Sequence, residues 1–422
     1  MKKRKHLIIG CGSAALSALK QIRKLGSEDE VKLITMEDYS PYSPASLPYL
    51  VSGRIKESDI QVVADDYFDQ MKATLIRGRR VDSIDTRSQK VNYDNGGSDT
   101  YDTLLIASGS EPVVPQVLKE AGALEFHIMD DYVYLTKQLN NRTKVTILGA
   151  GLVGMELAVA LNERGHEVNV IAPRERILRS YFDAEVGGYI IDLFSKNGVP
   201  VSLNWGEVIE ARRYRDGIQA KFATGKRLDT HILIACIGVK PRLLFVDGSG
   251  IRINQGILVD SRMRTNIPNV FAAGDVAEAP DFFTGNNGLN PILPTAVRQG
   301  KIAGSNMVGT EVEYEGWLPM NTFNFFGHLA TSVGESTPSE GDEVLIEKEH
   351  KKLRYKKIIC RDGKLLGATF LDTNVDAGVI QYLIKEMVNI DPYKELLIKK
   401  PKDVSLWLML EAEKKKSISL EG

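Results

Sequence analysis

The chain has 422 residues, 43% of them hydrophobic, with 54 basic against 55 acidic side chains. Such a length implies two or three domains, and the near-neutral balance points to no nucleic-acid partner. No apolar run reaches the ~18 residues of a membrane span. The three cysteines, in no CxxC spacing, exclude a cysteine-built iron–sulfur or zinc site in this chain and fit a reducing cytoplasm.

The basic start Lys2-Lys3-Arg4-Lys5 reads as a solvated N-terminus, because the apolar run behind it is too short for a signal peptide. That run leads into Gly10-Cys11-Gly12-Ser13-Ala14-Ala15, the pattern of a strand, a glycine turn and a helix start. Gly10 permits the turn, Gly12 lets backbone N–H groups approach a pyrophosphate, and Ala15 is small enough for close helix–strand packing. The helix N-terminus then receives the phosphate charge. A helical pattern covers 14–25, with Gly26 as its stop, and a strand follows at 31–34. The end of that strand should present an acid to a ribose; Glu37, 25 residues after Gly12, is the candidate, with Asp38 as its neighbour and rival.

The segment 39–53 is stiffened by Pro41, Pro44 and Pro48, and 92–100 carries a hairpin signal. Next comes an apolar run with Ala107-Ser108-Gly109 at its exit and Pro112 just beyond. The whole arrangement then recurs. A second strand meets Gly149-Ala150-Gly151-Leu152-Val153-Gly154, and a helix opens with Met155-Glu156. A second apolar run exits through Ile237-Gly238 towards Pro241. This is an internal repeat at domain scale and suggests two dinucleotides. After the strand 167–171 stands Ala172, where NAD enzymes usually carry an acid, with Arg174, Arg176 and Arg179 beyond it. The strand-end residue is neither arginine nor lysine, which favours NAD(H) slightly and leaves NADP(H) open.

A further segment runs from Thr265 through Phe271 to Gly274-Asp275. Pro294-Thr295-Ala296 then reads as an exposed helix start. In the last hundred residues, 353–360 and 365–370 form a hairpin around Asp362-Gly363, and 377–387 is an amphipathic helix. Lys399 to Lys402, with Trp407-Leu408-Met409-Leu410, make a basic then apolar tail, either a capping helix or a docking surface.

In this combination the segments resemble the two-dinucleotide-domain flavoproteins, the glutathione-reductase-like and NADH-oxidase-like FAD enzymes. The resemblance implies an α/β fold with two Rossmann-like domains and a C-terminal α+β interface domain. FAD-binding parts would span 1–113 and 245–315, the NAD(P) domain 114–244 and the interface or dimerisation domain 316–422. It places FAD at Gly10, Gly12, Ser13, Ala14, Ala15, Glu37, Ser43, Pro44, Ala45, Ala107, Ser108, Gly109, Gly274, Asp275, Pro294, Thr295 and Ala296. Asp275 would bond the ribityl chain, and the helix at Thr295 would point its N-terminus at the flavin. NAD(P) would lie against Gly149, Gly151, Leu152, Val153, Gly154, Glu156, Arg174, Ile237 and Gly238, with Glu156 near the nicotinamide carboxamide.

One departure is informative. Ala45-Ser46 stands where the disulfide-reducing branch of that family has its redox Cys-Gly, and the C-terminal region has no His-x4-Glu. An alanine methyl cannot open a disulfide. Hydride exchange between two cofactors requires no catalytic side chain and no metal. The electrons then need an acceptor elsewhere, and an iron–sulfur subunit is the expected partner. The Ser-Pro-x-x-Leu-Pro-Tyr segment, the short length and the missing cysteine look most like the flavoprotein part of phenylglyoxylate-type 2-oxoacid:NAD oxidoreductases. Two other readings stay open: a stand-alone NADH oxidase or ferredoxin/rubredoxin reductase, and a non-enzymatic FAD/NAD-binding sensor or scaffold. A homo-oligomer is compatible with each.

Overall fold

The computed structural model describes residues 3–140, 143–349, 353–404 and 406–408. Lys2, Met409 and Leu410 of the basic start and apolar tail lie outside the described residues. The chain divides into two units, Met1–Lys119 with Ala123–Asn140 and Ile234–Trp317, and Glu120–Gly122 with Asn141–Leu233 and Leu318–Gly422.

The first unit is built on a five-stranded sheet in the order Val270–Ala272, Thr103–Ile106, Lys5–Ile9, Glu30–Ile34, Ala73–Ile76. All its pairings are parallel. The central strand is buried from His6 to Ile9, which explains its unbroken apolar run: a parallel sheet is covered on both faces. Helix Ser13–Lys24 returns the chain from the first strand to the second. It ends at Lys24, one residue short of the expected last helical residue Leu25, and Gly26 follows with φ +76°. The hairpin expected at 92–100 joins strands Lys90–Tyr93 and Ser98–Thr100.

Helix Leu293–Met307 packs on Ser13–Lys24 with almost no side chain between them. A Cβ on Gly300 would come within 2.2 Å of the Ala14 carbonyl oxygen, and one on Gly304 within 2.6 Å of the Ala18 oxygen. Alanines on one helix and glycines on the other bring the two backbones into direct contact.

The second unit repeats the theme. In its sheet Val201–Ser202, Glu167–Ile171 and Lys144–Leu148 pair in parallel, with helix Leu152–Glu163 after Lys144–Leu148. A second, antiparallel sheet has the order Met320–Phe325, His328–Gly334, Lys364–Leu371, Arg354–Arg361, Glu343–Glu349. The expected hairpin is there, Arg354–Arg361 against Lys364–Leu371, turning at Asp362 and Gly363 with φ +48° and +71°. Helix Ala377–Lys385 starts where Asp376 accepts from the Gly378 and Val379 N–H groups. Phe194 of helix Ala184–Lys196 meets Phe323, Phe325 and Phe326. Asp183 caps the same helix by accepting from the Val186 N–H at 3.0 Å. It also accepts from the Tyr355 hydroxyl and pairs with Lys357, which is buried. Burial raises the Asp183 carboxyl, but Lys357 and the Val186 N–H outweigh it and hold the group below the usual carboxylate range.

The described part of the tail folds inward. Leu397 and Ile398 are buried, Lys399 pairs with Glu395, and the Trp407 ring lies 3.7 Å from that of Tyr393.

Candidate functional site

Two loops share one backbone. Gly10 has φ +111° and Gly149 +118°. Gly12 and Gly151 are both extended, at φ −79°, ψ −171° and φ −83°, ψ −179°. In each loop the first glycine N–H donates to the end of the neighbouring strand, Gly10 to Ile34 at 2.7 Å and Gly149 to Ile171 at 2.8 Å. At Gly10 no other residue fits, because a Cβ would lie 2.1 Å from the Ala107 oxygen. That contact seats the loop on Ala107-Ser108-Gly109, the exit of the closing strand. Ser108 is held there by its hydroxyl, which donates to the Arg242 carbonyl at 3.3 Å.

Beyond each loop a helix begins bare. No side chain caps Ser13–Lys24 or Leu152–Glu163, and neither has an acid in its first turn. In the first, the earliest helical bond is Leu16 N–H to Gly12 O. The N–H groups of Ser13, Ala14 and Ala15 therefore have no partner within the helix. A Cβ on Gly12 or Gly151 would meet nothing within 4 Å. Free donors, a positive helix end and open space at a glycine form a cradle for a pyrophosphate. The residues present fit a dinucleotide in each unit.

In the first unit Gly274 and helix Leu293–Met307 lie against the helix that follows this loop. Gly274 lies between Ala14 and Ala296, its Cβ position 3.2 and 3.7 Å from theirs. Its N–H donates to the Gln299 Oε1 at 2.8 Å, so helix Leu293–Met307 fixes the Gly274-Asp275 turn. Asp275 Oδ2 accepts from the Ser110 hydroxyl at 2.7 Å. Pro294 opens that helix, which again has no side-chain cap, and Thr295 and Ala296 are buried in its first turn. Glu37 lies three residues past strand Glu30–Ile34, half-buried, with Tyr42 donating to its Oε2; Asp38 is exposed. Ser43 leads into the short turn Pro44–Ser46, on which Pro44 and Ala45 are exposed.

In the second unit Glu156 is the fifth residue of its helix, and burial pushes its carboxyl up to about 7. Gly154 is buried, Leu152 half-buried and Val153 exposed. Ala172 is buried at the strand end, while Arg174, Arg176 and Arg179 are exposed. Among the described residues no carboxylate pairs with these three arginines. Ile237 and Gly238 belong to the segment that clusters with the first unit. There Val239–Pro241 pairs antiparallel with Ser110–Pro112, so the exits of the two closing runs form one ribbon.

The three thiols are held protonated. Burial raises Cys11 and Cys236 to about 12 and Cys360 to about 11. A thiolate is the nucleophilic form, so these side chains do not supply one at neutral pH.

Sequence reasoning passed over Tyr42, Ser110, His127 and Gln299. Each is a polar residue beside or between recognised segments, and nothing in its local pattern signals a partner far along the chain.

Two uncapped glycine loops, each followed by a parallel strand pair, and an antiparallel C-terminal sheet define a two-dinucleotide reductase architecture. Residues 4–300 match the pyridine nucleotide-disulphide oxidoreductase family, and 319–387 match the rubredoxin NAD+ reductase C-terminal domain. The chain is 33% identical to the NADH-dependent phenylglyoxylate dehydrogenase subunit epsilon of Aromatoleum evansii, over 96% of this chain and 97% of that one. It is 28% identical to the NADH-rubredoxin oxidoreductase of Clostridium acetobutylicum, over 88% and 92%. The reductase structure in the covalent putidaredoxin reductase–putidaredoxin complex shares the fold, with TM-score 0.86 at 19% identity over 96% of this chain and 99% of that one.

The chain belongs to the pyridine nucleotide-disulphide oxidoreductase family. It is an oxidoreductase whose cofactors are FAD and NAD(P). No helix among the described residues is long and apolar enough to cross a membrane.

Proposed function

We propose that this protein is an electron-transfer flavoprotein subunit, linking nicotinamide to an iron–sulfur partner within a 2-oxoacid:NAD oxidoreductase of the phenylglyoxylate type. The observation that carries the reading is the end-to-end similarity to a subunit of an NADH-dependent phenylglyoxylate dehydrogenase. The exposed Ala45, in place of a thiol, supports it.

FAD would be held by the Gly10–Ala15 turn, Glu37, Ala107 to Gly109, Gly274-Asp275 and the helix start at Thr295. When bound, it exchanges a hydride with nicotinamide and single electrons with an iron–sulfur centre. The chain's own part is to bind and orient. The bare helix Ser13–Lys24 would take the pyrophosphate, and Asp275 a ribityl hydroxyl. Gly149 to Gly154 would hold the nicotinamide dinucleotide, with Glu156 beside its carboxamide. Three dispersed cysteines cannot ligate a cluster, so the one-electron centre resides on another chain. A cytoplasmic location belongs to this proposal and rests on the three free cysteines.

Native mass measurement of the complex from its source tests it, together with anaerobic turnover of the purified chain. An additional iron–sulfur subunit and turnover with viologen support the proposal. A lone monomer or homodimer with high turnover on oxygen and none with viologen or ferredoxin-like acceptors overturns it. The match of 319–387 to the rubredoxin NAD+ reductase C-terminal domain favours a second reading, a stand-alone reductase of a small iron protein. NADH-dependent rubredoxin reduction by the isolated chain at rates of a complete enzyme would favour it.

A further inference from the structure

Two carboxylates carry the FAD reading, and both are held from behind. Asp275 Oδ2 accepts from the Ser110 hydroxyl. The Ser110 carbonyl in turn accepts from His127 Nε2 at 3.1 Å and from Arg242 Nε at 2.9 Å. Glu37 Oε2 accepts from the Tyr42 hydroxyl, and that hydroxyl accepts from the Met129 N–H at 2.8 Å.

His127 and Met129 belong to a single turn. Asp131 closes it, accepting at one oxygen from the N–H groups of His127 and Ile128 at 2.8 and 3.0 Å. A carbonyl only accepts, so His127 carries a proton on Nε2. A hydroxyl has one proton, and Ser110 and Tyr42, both buried, direct theirs at a carboxylate. Hydrogen bonds to an ionised acceptor are the stronger kind, and each fixes one oxygen while leaving the second, Asp275 Oδ1 or Glu37 Oε1, for another donor.

We propose that Ser110 and Tyr42 are positioning residues of the FAD site, and that the 127–129 turn is a clasp that sets both. The clasp reaches the carboxylate assigned to the ribose end of the cofactor and the one assigned to the ribityl end. It thereby fixes the distance between the two sugar-binding groups before FAD arrives. This inference rests on the assignment of Glu37 and Asp275 as FAD ligands.

The test is FAD affinity of the full-length deflavinated protein, measured by reconstitution, with its thermal melt recorded beside it. Ser110→Ala and Tyr42→Phe should each weaken FAD binding about ten-fold while the apoprotein melts within a degree or two of wild type. Ser110→Cys, a weaker donor, should fall between, and it replaces Ser110→Ala if that variant does not fold. In an Asp275→Asn background Ser110→Ala should add little, because the hydroxyl no longer has a carboxylate to orient. Tyr42→Phe should likewise be absorbed by Glu37→Gln. Full additivity in these double variants, or unchanged affinity in both single hydroxyl variants while Asp275→Asn and Glu37→Gln weaken binding, overturns the clasp alone. Unchanged affinity in Asp275→Asn and Glu37→Gln themselves overturns the ligand assignment, and the clasp with it.

Discussion

Glu156 is the chain's most informative titration. Its side chain is partly buried in the second turn of helix Leu152–Glu163, with desolvation as the one cause raising its carboxyl from 4.5 to about 7. In the unfolded chain it ionises near 4.5; in the folded chain it keeps its proton until about 7. Below 4.5 both states are protonated and the group is silent. Between the two values the unfolded state releases a proton that the folded state retains, so stability falls as pH rises. At about 1.36 kcal/mol per pK unit, the full displacement costs about 3 kcal/mol above pH 7. Glu156→Gln removes the titration and keeps the shape. It should lie within about 1 kcal/mol of wild type at pH 5 and exceed it by about 3 kcal/mol at pH 8. For a unit of about 200 residues that corresponds to a rise of roughly 6–12 °C in melting temperature. Melts of both proteins from pH 5 to 8.5 read this directly. The same difference at pH 5 and pH 8 would refute the reasoning, since an effect of packing alone has no reason to follow a proton.

Ala172→Glu should shift the ratio of kcat/KM towards NADH, because a carboxylate there accepts from a ribose hydroxyl and repels a 2′-phosphate; an unchanged NADH/NADPH ratio removes the strand end from the specificity problem. Alkylation of the folded protein should leave flavin bleaching by NADH intact, since all three thiols are held protonated; loss of bleaching with the fold preserved would give one of them a role. Lys357→Ala should destabilise the second unit by about 3–5 kcal/mol, as it strands the Asp183 carboxylate beside a vacated buried site; a chemical-denaturation midpoint equal to wild type would show the pair to be dispensable.

Much of the scaffold was legible because backbone chemistry leaves local marks. A left-handed φ at Gly10 and Gly149 demands glycine, and parallel strands buried on both faces demand uninterrupted apolar runs such as 103–106. Both leave a signature within a dozen residues. The groups that hold the site together left none. Ser110 reaches Asp275 across 165 positions, and Tyr42 reaches Met129 across 87. A hydroxyl can serve many neighbours, so its identity alone does not name one. The tail shows the reverse difficulty. Trp407 on a basic-apolar stretch suits docking or capping equally, and its ring contact with Tyr393, 14 residues earlier in the chain, leaves no mark in the local pattern.

The seam between Gly300, Gly304 and the Ala14 and Ala18 backbone has a consequence for how the protein can change over generations. A contact made of main chain has no rotamers to exchange and no methyl to trim. Neighbouring substitutions cannot lengthen or shorten it by degrees, as they do in an ordinary core. The two bare helix ends it joins are therefore spaced as if by a gauge block. Lineages descending from such a chain are free to vary the surface around those ends, and with it the partner and acceptor, while the spacing stays constant until one of the two glycines is lost.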